Sequence, residues 1–134
     1  MISENREDYL RAIYCIAEQN NKNVRSIDIV KYLQVSKPAV SEMLNKLKNQ
    51  KYITKDALKI SFTNNGLKEA EKLTYKHRIS ELFLRDFLNI EEKDIHKEAH
   101  KFEHMLSDKV AKKMAVLLGN PQICPCGHEI PNID

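Results

Sequence analysis

Four of the five histidines in this chain stand at helical spacing from carboxylates. The stretch Ile95–Ser107 reads I-H-K-E-A-H-K-F-E-H-M-L-S and holds three of them. Residues three, four and seven apart share one face of a helix. His96, His100 and Glu103 therefore form one stripe, with His104 one turn beyond His100. Earlier in the chain, His77 and Glu81 in H-R-I-S-E are again one turn apart. Imidazole and carboxylate at this spacing are the donors a divalent transition metal takes from a helix. The competing reading is a solvated face with scattered histidines. Agreement of spacing and donor type in two separate arrays favours metal.

Two helices must carry those donors, and the rest of the chain must position them. At 134 residues the protein has room for one or two small domains. Its 42% hydrophobic and 31% charged residues suit a folded, soluble protein rather than a disordered one. Lysine and arginine exceed the acids by 22 to 19, so a net charge of +3 does not by itself signal nucleic acid. The polar start, Met1 to Glu7, has no apolar core of a signal peptide. The longest apolar run, Met114 to Leu118, is too short to span a bilayer. Three cysteines, Cys15, Cys124 and Cys126, do not make a disulfide framework. A cytoplasmic setting is expected, with no membrane partner.

Leu10, Ile13, Tyr14 and Ala17 follow the amphipathic pattern and predict a helix over about 4–19. Asp8 lies off that stripe, where its charge favours the helix N-terminus. Ser26 reads as the cap of a short helix with Ile27, Val30 and Leu33 inward. Ser36 can cap the next helix, Pro38 is tolerated in its first turn, and Val40, Leu44 and Leu47 form its buried stripe. Two short helices joined by a tight turn are a helix-turn-helix. The second, recognition helix exposes Lys37, Pro38, Ser41, Glu42, Asn45, Lys46 and Asn49. Of this surface Ser36, Lys37, Pro38, Ser41, Glu42 and Lys46 are the candidate DNA contacts, with Pro38, Ser41 and Glu42 reading bases. An ordinary polar helix face is the alternative for this segment taken alone.

Residues 52–55 and 58–63 are β-prone, with Asp56-Ala57 as the turn between them. A hairpin after a recognition helix is a wing, and Lys48, Lys51, Lys55 and Lys59 around it suit phosphate contacts. Asn64-Asn65-Gly66 then opens a long helix over about 65–88. A metal-bearing helix begins near Glu91, and a last one runs from a Ser107 cap to about Leu118 with Val110, Met114, Leu117 and Leu118 inward. The proline-rich tail from Gln122 is expected to be irregular.

Read in order, the chain resembles the diphtheria toxin repressor family, which includes manganese transport regulators. The resembling segments are E-D-Y-L-R-A-I-Y at 7–14, S-K-P-A-V-S at 36–41, K-H-R-I-S-E at 76–81 and H-K-E-A-H-K-F-E-H-M-L-S-D at 96–108. The tail C-P-C-G-H-E-I-P at 124–131 also resembles the family's. The resemblance implies a mainly α protein, with a winged helix-turn-helix at 1–64 and an all-helical metal-binding and dimerisation domain at 65–134. It implies a homodimeric repressor that Mn²⁺ or Fe²⁺ activates to bind double-stranded operator DNA. Carried over by position, one metal site would use Asp8, His100, Glu103 and His104. A neighbouring one would use His77, Glu81 and His96.

This chain departs from both branches of that family. Iron-type members place methionine at the Asp8 position and cysteine at the His100 position. The harder donors here shift preference toward Mn²⁺ or Fe²⁺. Manganese-type members carry glutamates at the positions of Arg11 and His100, so their pair of sites is not reproduced. Glu42 stands where iron-type members have glutamine. Many members also carry a C-terminal β-barrel that donates ligands. This chain stops before it, and the His77 site is expected to be completed by water or other side chains. Leu82, Phe87, Met114 and Leu117 are the expected dimer contacts.

Three other readings compete. A metalloenzyme would need a substrate-activating motif, and there is no H-E-x-x-H, P-loop or nucleophile elbow. No enzyme activity and no small-molecule substrate are therefore expected. A winged-helix regulator could instead sense a small organic ligand, with structural histidines. Cys124, Cys126 and His128 could hold zinc, but they supply only three ligands.

Overall fold

A computed structural model describes residues 4–133, with side chains from Arg6 to Ile133. The chain divides into two compact units, the first running to Ala70 and the second starting at Glu71.

In the first unit, α1 (Glu4–Gln19) buries Leu10 and Ile13 as expected, but Tyr9, Ala12 and Ile16 complete its inward face while Tyr14 and Ala17 are only half-buried at its edge. The next helix, α2 (Ser26–Leu33), departs from expectation at its start. Ser26 is its first residue rather than its cap, and the Arg25 N–H donates to the Asp28 carboxylate at 2.9 Å. A carboxylate three residues into the helix thus satisfies the residue before it. Ile29 is fully buried, whereas Ile27 is 40% exposed. An eight-residue helix offers two apolar stripes that periodicity cannot rank, and packing against α1 and α3 selects Ile29.

The recognition helix, α3 (Lys37–Asn49), forms as read: Ser36 Oγ accepts from the Ala39 N–H at 3.2 Å, and Val40, Leu44 and Leu47 are buried. Strands β1 (Ile53–Asp56) and β2 (Lys59–Phe62) pair antiparallel, with Ile53 opposite Phe62 and Asp56 opposite Lys59. The turn is therefore Ala57-Leu58, one residue later than expected. Leu58 leaves the strand and stands 68% exposed at the wing tip. Ile53 and Ile60 point inward, and the Ile60 N–H donates to the Val24 carbonyl, anchoring the wing to the loop before α2.

The long helix α4 (Asn64–Asp86) starts in the first unit and ends in the second. Thr63 Oγ1 accepts from the Gly66 N–H at 3.0 Å, so threonine caps it. Gly66 is required by space: a Cβ there would lie 1.8 Å from the Tyr52 carbonyl oxygen. The remaining helices are α5 (Glu92–Met105) and α6 (Asp108–Leu117), the latter capped by Ser107 as expected. Ile79 and Leu82 of α4, Met114 and Ala115 of α6, and Cys124 and Ile130 of the tail form the second core. Val110 and Leu117 point outward instead, because Ala111, Met114 and Ala115 supply the inward face of α6. Leu82 and Met114 are thereby used within the unit's own core, whereas Phe87 and Leu117 remain exposed. The tail is irregular apart from an Ile123–Glu129 bridge, and the buried Arg78 side chain donates to the Glu129 carbonyl.

Candidate metal centre

The donors of the second unit come from α4 and α5. One helical turn places His77 and Glu81 on the same face of α4, with His77 Nε2 3.6 Å from Glu81 Oε2. His96, near the start of α5, completes a triangle: its Nδ1 is 3.1 Å from His77 Nε2 and 3.7 Å from Glu81 Oε2. His77 and Glu81 are buried, whereas the His96 side chain is 66% exposed and closes the open side. A metal bound at about 2.0–2.2 Å from each donor separates them by roughly 3.0–3.5 Å. The observed separations fit that requirement with shifts of a few tenths of an ångström.

Burial pushes the Glu81 carboxyl up, but hydrogen bonds and positive charge from His77 and His96 outweigh it and hold it at about 2. The centre thus keeps an anionic donor at any pH near neutrality.

A second set of donors follows on α5. Glu103 is buried, with Oε1 2.7 Å from His77 Nδ1 and 3.5 Å from His100 Nδ1. The half-buried His100 and His104 rings meet edge to face at 4.8 Å. Asp8 sits half-buried on α1, in the first unit.

The tail cysteines divide. Cys124 is buried among apolar side chains, while Cys126 and His128 are exposed. Burial, then the charge of Glu81, pushes the Cys126 thiol up.

On the first unit, Ser36, Lys37, Pro38, Ser41, Glu42 and Lys46 are all exposed, in keeping with a contact surface. Glu42 Oε1 lies 3.6 Å from Lys46 Nζ, an ion pair that the sequence reading of either residue did not anticipate.

Comparison with known proteins joins these features. Residues 1–57 match the iron-dependent repressor N-terminal DNA-binding domain. Residues 63–132 match the iron-dependent repressor metal-binding and dimerisation domain. An uncharacterized HTH-type transcriptional regulator of Methanocaldococcus jannaschii is 33% identical over 118 residues, covering 87% of this chain and 94% of that one. The diphtheria toxin repressor of Corynebacterium diphtheriae is 29% identical over 129 residues, 96% of this chain and 57% of its own. Among solved structures, the manganese regulator SloR aligns with a TM-score of 0.83 at 36% identity, covering 95% of this chain and 59% of that one. A manganese-dependent transcriptional repressor in complex with manganese aligns at 0.87 and 29% identity, covering 96% and 59%. The chain therefore spans little more than half of those longer relatives. Its winged helix, its helical donor array and both family matches agree: this chain belongs to the iron-dependent (diphtheria toxin) repressor family of metal-dependent transcriptional regulators, which are not enzymes.

Proposed function

We propose that this protein is a homodimeric, cytoplasmic repressor that Mn²⁺ or Fe²⁺ activates to bind operators of metal-ion homeostasis genes. The observation that carries the reading is the triangle of His77, Glu81 and His96, two of them buried, at separations a divalent ion fits. Nitrogen and oxygen donors without a thioether suit these two ions. When bound, the ion supplies a positive centre that cross-links its donors. His77, Glu81 and His96 would hold one ion. His100, Glu103 and His104 would hold a second, with Asp8 as the ligand from the DNA-binding half that the family motif assigns.

The protein's own groups do the rest. Ligand imidazoles must be neutral, so acid weakens activation. A fixed Asp8 restrains the helix that supports the recognition helix. In a dimer, two such helices must stand about 34–36 Å apart to enter successive major grooves. Linkage requires that DNA tighten metal binding by the factor by which metal tightens DNA binding. Lys48, Lys51, Lys55 and Lys59 are exposed and supply sequence-independent affinity through phosphates.

The test is an anaerobic gel shift on DNA upstream of the protein's own gene or a neighbouring metal transporter, at fixed ionic strength. Mn²⁺, Fe²⁺, Zn²⁺ and chelator are compared. A discrete complex requiring Mn²⁺ or Fe²⁺ supports the reading; binding indifferent to metal overturns it. One observation favours the organic-effector alternative: a cavity of about 430 Å³ in the first unit, lined by Ile13, Tyr14, Val24, Ile60, Phe62 and Leu67 among others. Metal-indifferent binding would direct attention there.

A further inference from the structure

Arg6 joins three elements of the DNA-binding unit. Its guanidinium donates from Nη1 to Gln50 Oε1 at 2.7 Å, across 44 residues of sequence. The same group lies 5.0 Å from the centroid of the Tyr52 ring. Gln50 is the C-cap of α3, the recognition helix. Tyr52 immediately precedes β1 of the wing, and its carbonyl accepts from both the Thr63 N–H and Thr63 Oγ1 at the start of α4. One side chain in the first turn of α1 thus grips the end of the recognition helix and the root of the wing.

Asp8 follows Arg6 by two residues. Successive residues on a helix are about 100° apart, so Arg6 and Asp8 point to nearly opposite sides of α1. Any influence of Arg6 on Asp8 would therefore run through the helix itself. Without the Arg6 grip, the first two turns of α1 lose a long-range tether exactly where a helix terminus frays most readily.

We propose that Arg6 is a positioning residue for the metal response: by fixing the start of α1 against Gln50 and Tyr52, it makes the placement of Asp8 and the placement of the recognition helix one event. The proposal rests on the reading of Asp8 as a metal ligand. Arginine suits the task because its planar group donates to an amide oxygen while lying over an aromatic face. The cation–π contact alone would survive lysine; the directed donation to Gln50 would be weakened.

The experiment compares wild type, Arg6→Met, Arg6→Lys and Asp8→Ala. Each is measured for thermal unfolding without metal, DNA affinity in chelator, and DNA affinity in saturating Mn²⁺. Methionine keeps the apolar stem and removes the charge. Arg6→Met is expected to melt within a few degrees of wild type and to bind DNA equally in chelator. Its Mn²⁺ stimulation of DNA binding is expected to fall about fivefold, the low end of typical allosteric coupling. Arg6→Lys should recover part of that loss, and Asp8→Ala should abolish stimulation. Full stimulation in Arg6→Met, with stimulation lost in Asp8→Ala, overturns the positioning role and leaves the metal site standing. Full stimulation in both removes Asp8 from the site and the proposal with it. A loss in Arg6→Met that appears equally in chelator makes Arg6 a purely structural clamp and also overturns it.

Discussion

His77 Nδ1 lies 2.7 Å from Oε1 of Glu103, and both side chains are buried. This contact ties α4 to α5 and orients the imidazole. With Nδ1–H donated to the carboxylate, the His77 Nε2 lone pair faces Glu81 and His96, the side on which a metal would bind. Glu103 Oε1 is also 3.5 Å from His100 Nδ1, so one oxygen relates the two donor groups of the second unit.

That relationship predicts the effect of Glu103→Gln. The amide removes the carboxylate that fixes the His77 tautomer and leaves an N–H₂ competing for the same place. Calorimetric titration with Mn²⁺ should show affinity falling about 10- to 100-fold, as loss of an orienting partner typically gives. Both donor groups should weaken. An effect confined to one ion would show that Glu103 serves only its own group.

Gly66 packs directly against the backbone of Tyr52. A methyl group there would meet the Tyr52 carbonyl at 1.8 Å, and that carbonyl also accepts from Thr63. Gly66→Ala is expected to cost about 3 kcal/mol or more, at the upper end of overpacking effects. Urea unfolding of the variant gives the value. A cost under about 0.5 kcal/mol would mean that α4 shifts freely against the wing.

Asp108 opens α6 and pairs with Lys76 at 2.9 Å and Lys72 at 3.4 Å. The Lys76 hydrogen bond, acting against partial burial, holds its carboxyl below the usual range. A lowered folded-state value stabilises the protein above the unfolded carboxyl's range, near pH 4, and the benefit is lost as pH falls through the folded value. The side chain is 44% exposed, so solvent screening limits the contribution to about 0.5–1 kcal/mol. Asp108→Asn should lower metal-free stability by that amount at pH 6 and converge with wild type near pH 2. Parallel stability curves over the whole range would contradict this assignment.

The Glu42–Lys46 pair predicts a change in DNA binding. Glu42→Gln releases Lys46 from its partner 3.6 Å away and removes a negative charge from the exposed face of α3. Affinity for non-operator DNA should rise, and the slope of log affinity against log salt should steepen by about one unit. An unchanged salt slope would place Lys46 away from the phosphates.

The sequence by itself determined the type of each element and the chemistry of the donors. Helical spacing places His77 with Glu81, and His96, His100 and Glu103 with one another, because the α-helix has a fixed period. Ser36 and Ser107 announce their helices because a cap acts within three residues. Short apolar patterns were less informative: the buried face of α2 fell on Ile29 rather than Ile27, and Leu58 moved from strand to turn. Those choices depend on which neighbour offers a surface to bury against. Only the tertiary structure could bring His96 across to His77 and Glu81 and set Arg6 on Gln50 and Tyr52. Local periodicity constrains residues within about two turns, whereas these contacts close loops of 15 to 46 residues, and packing of whole elements decides them.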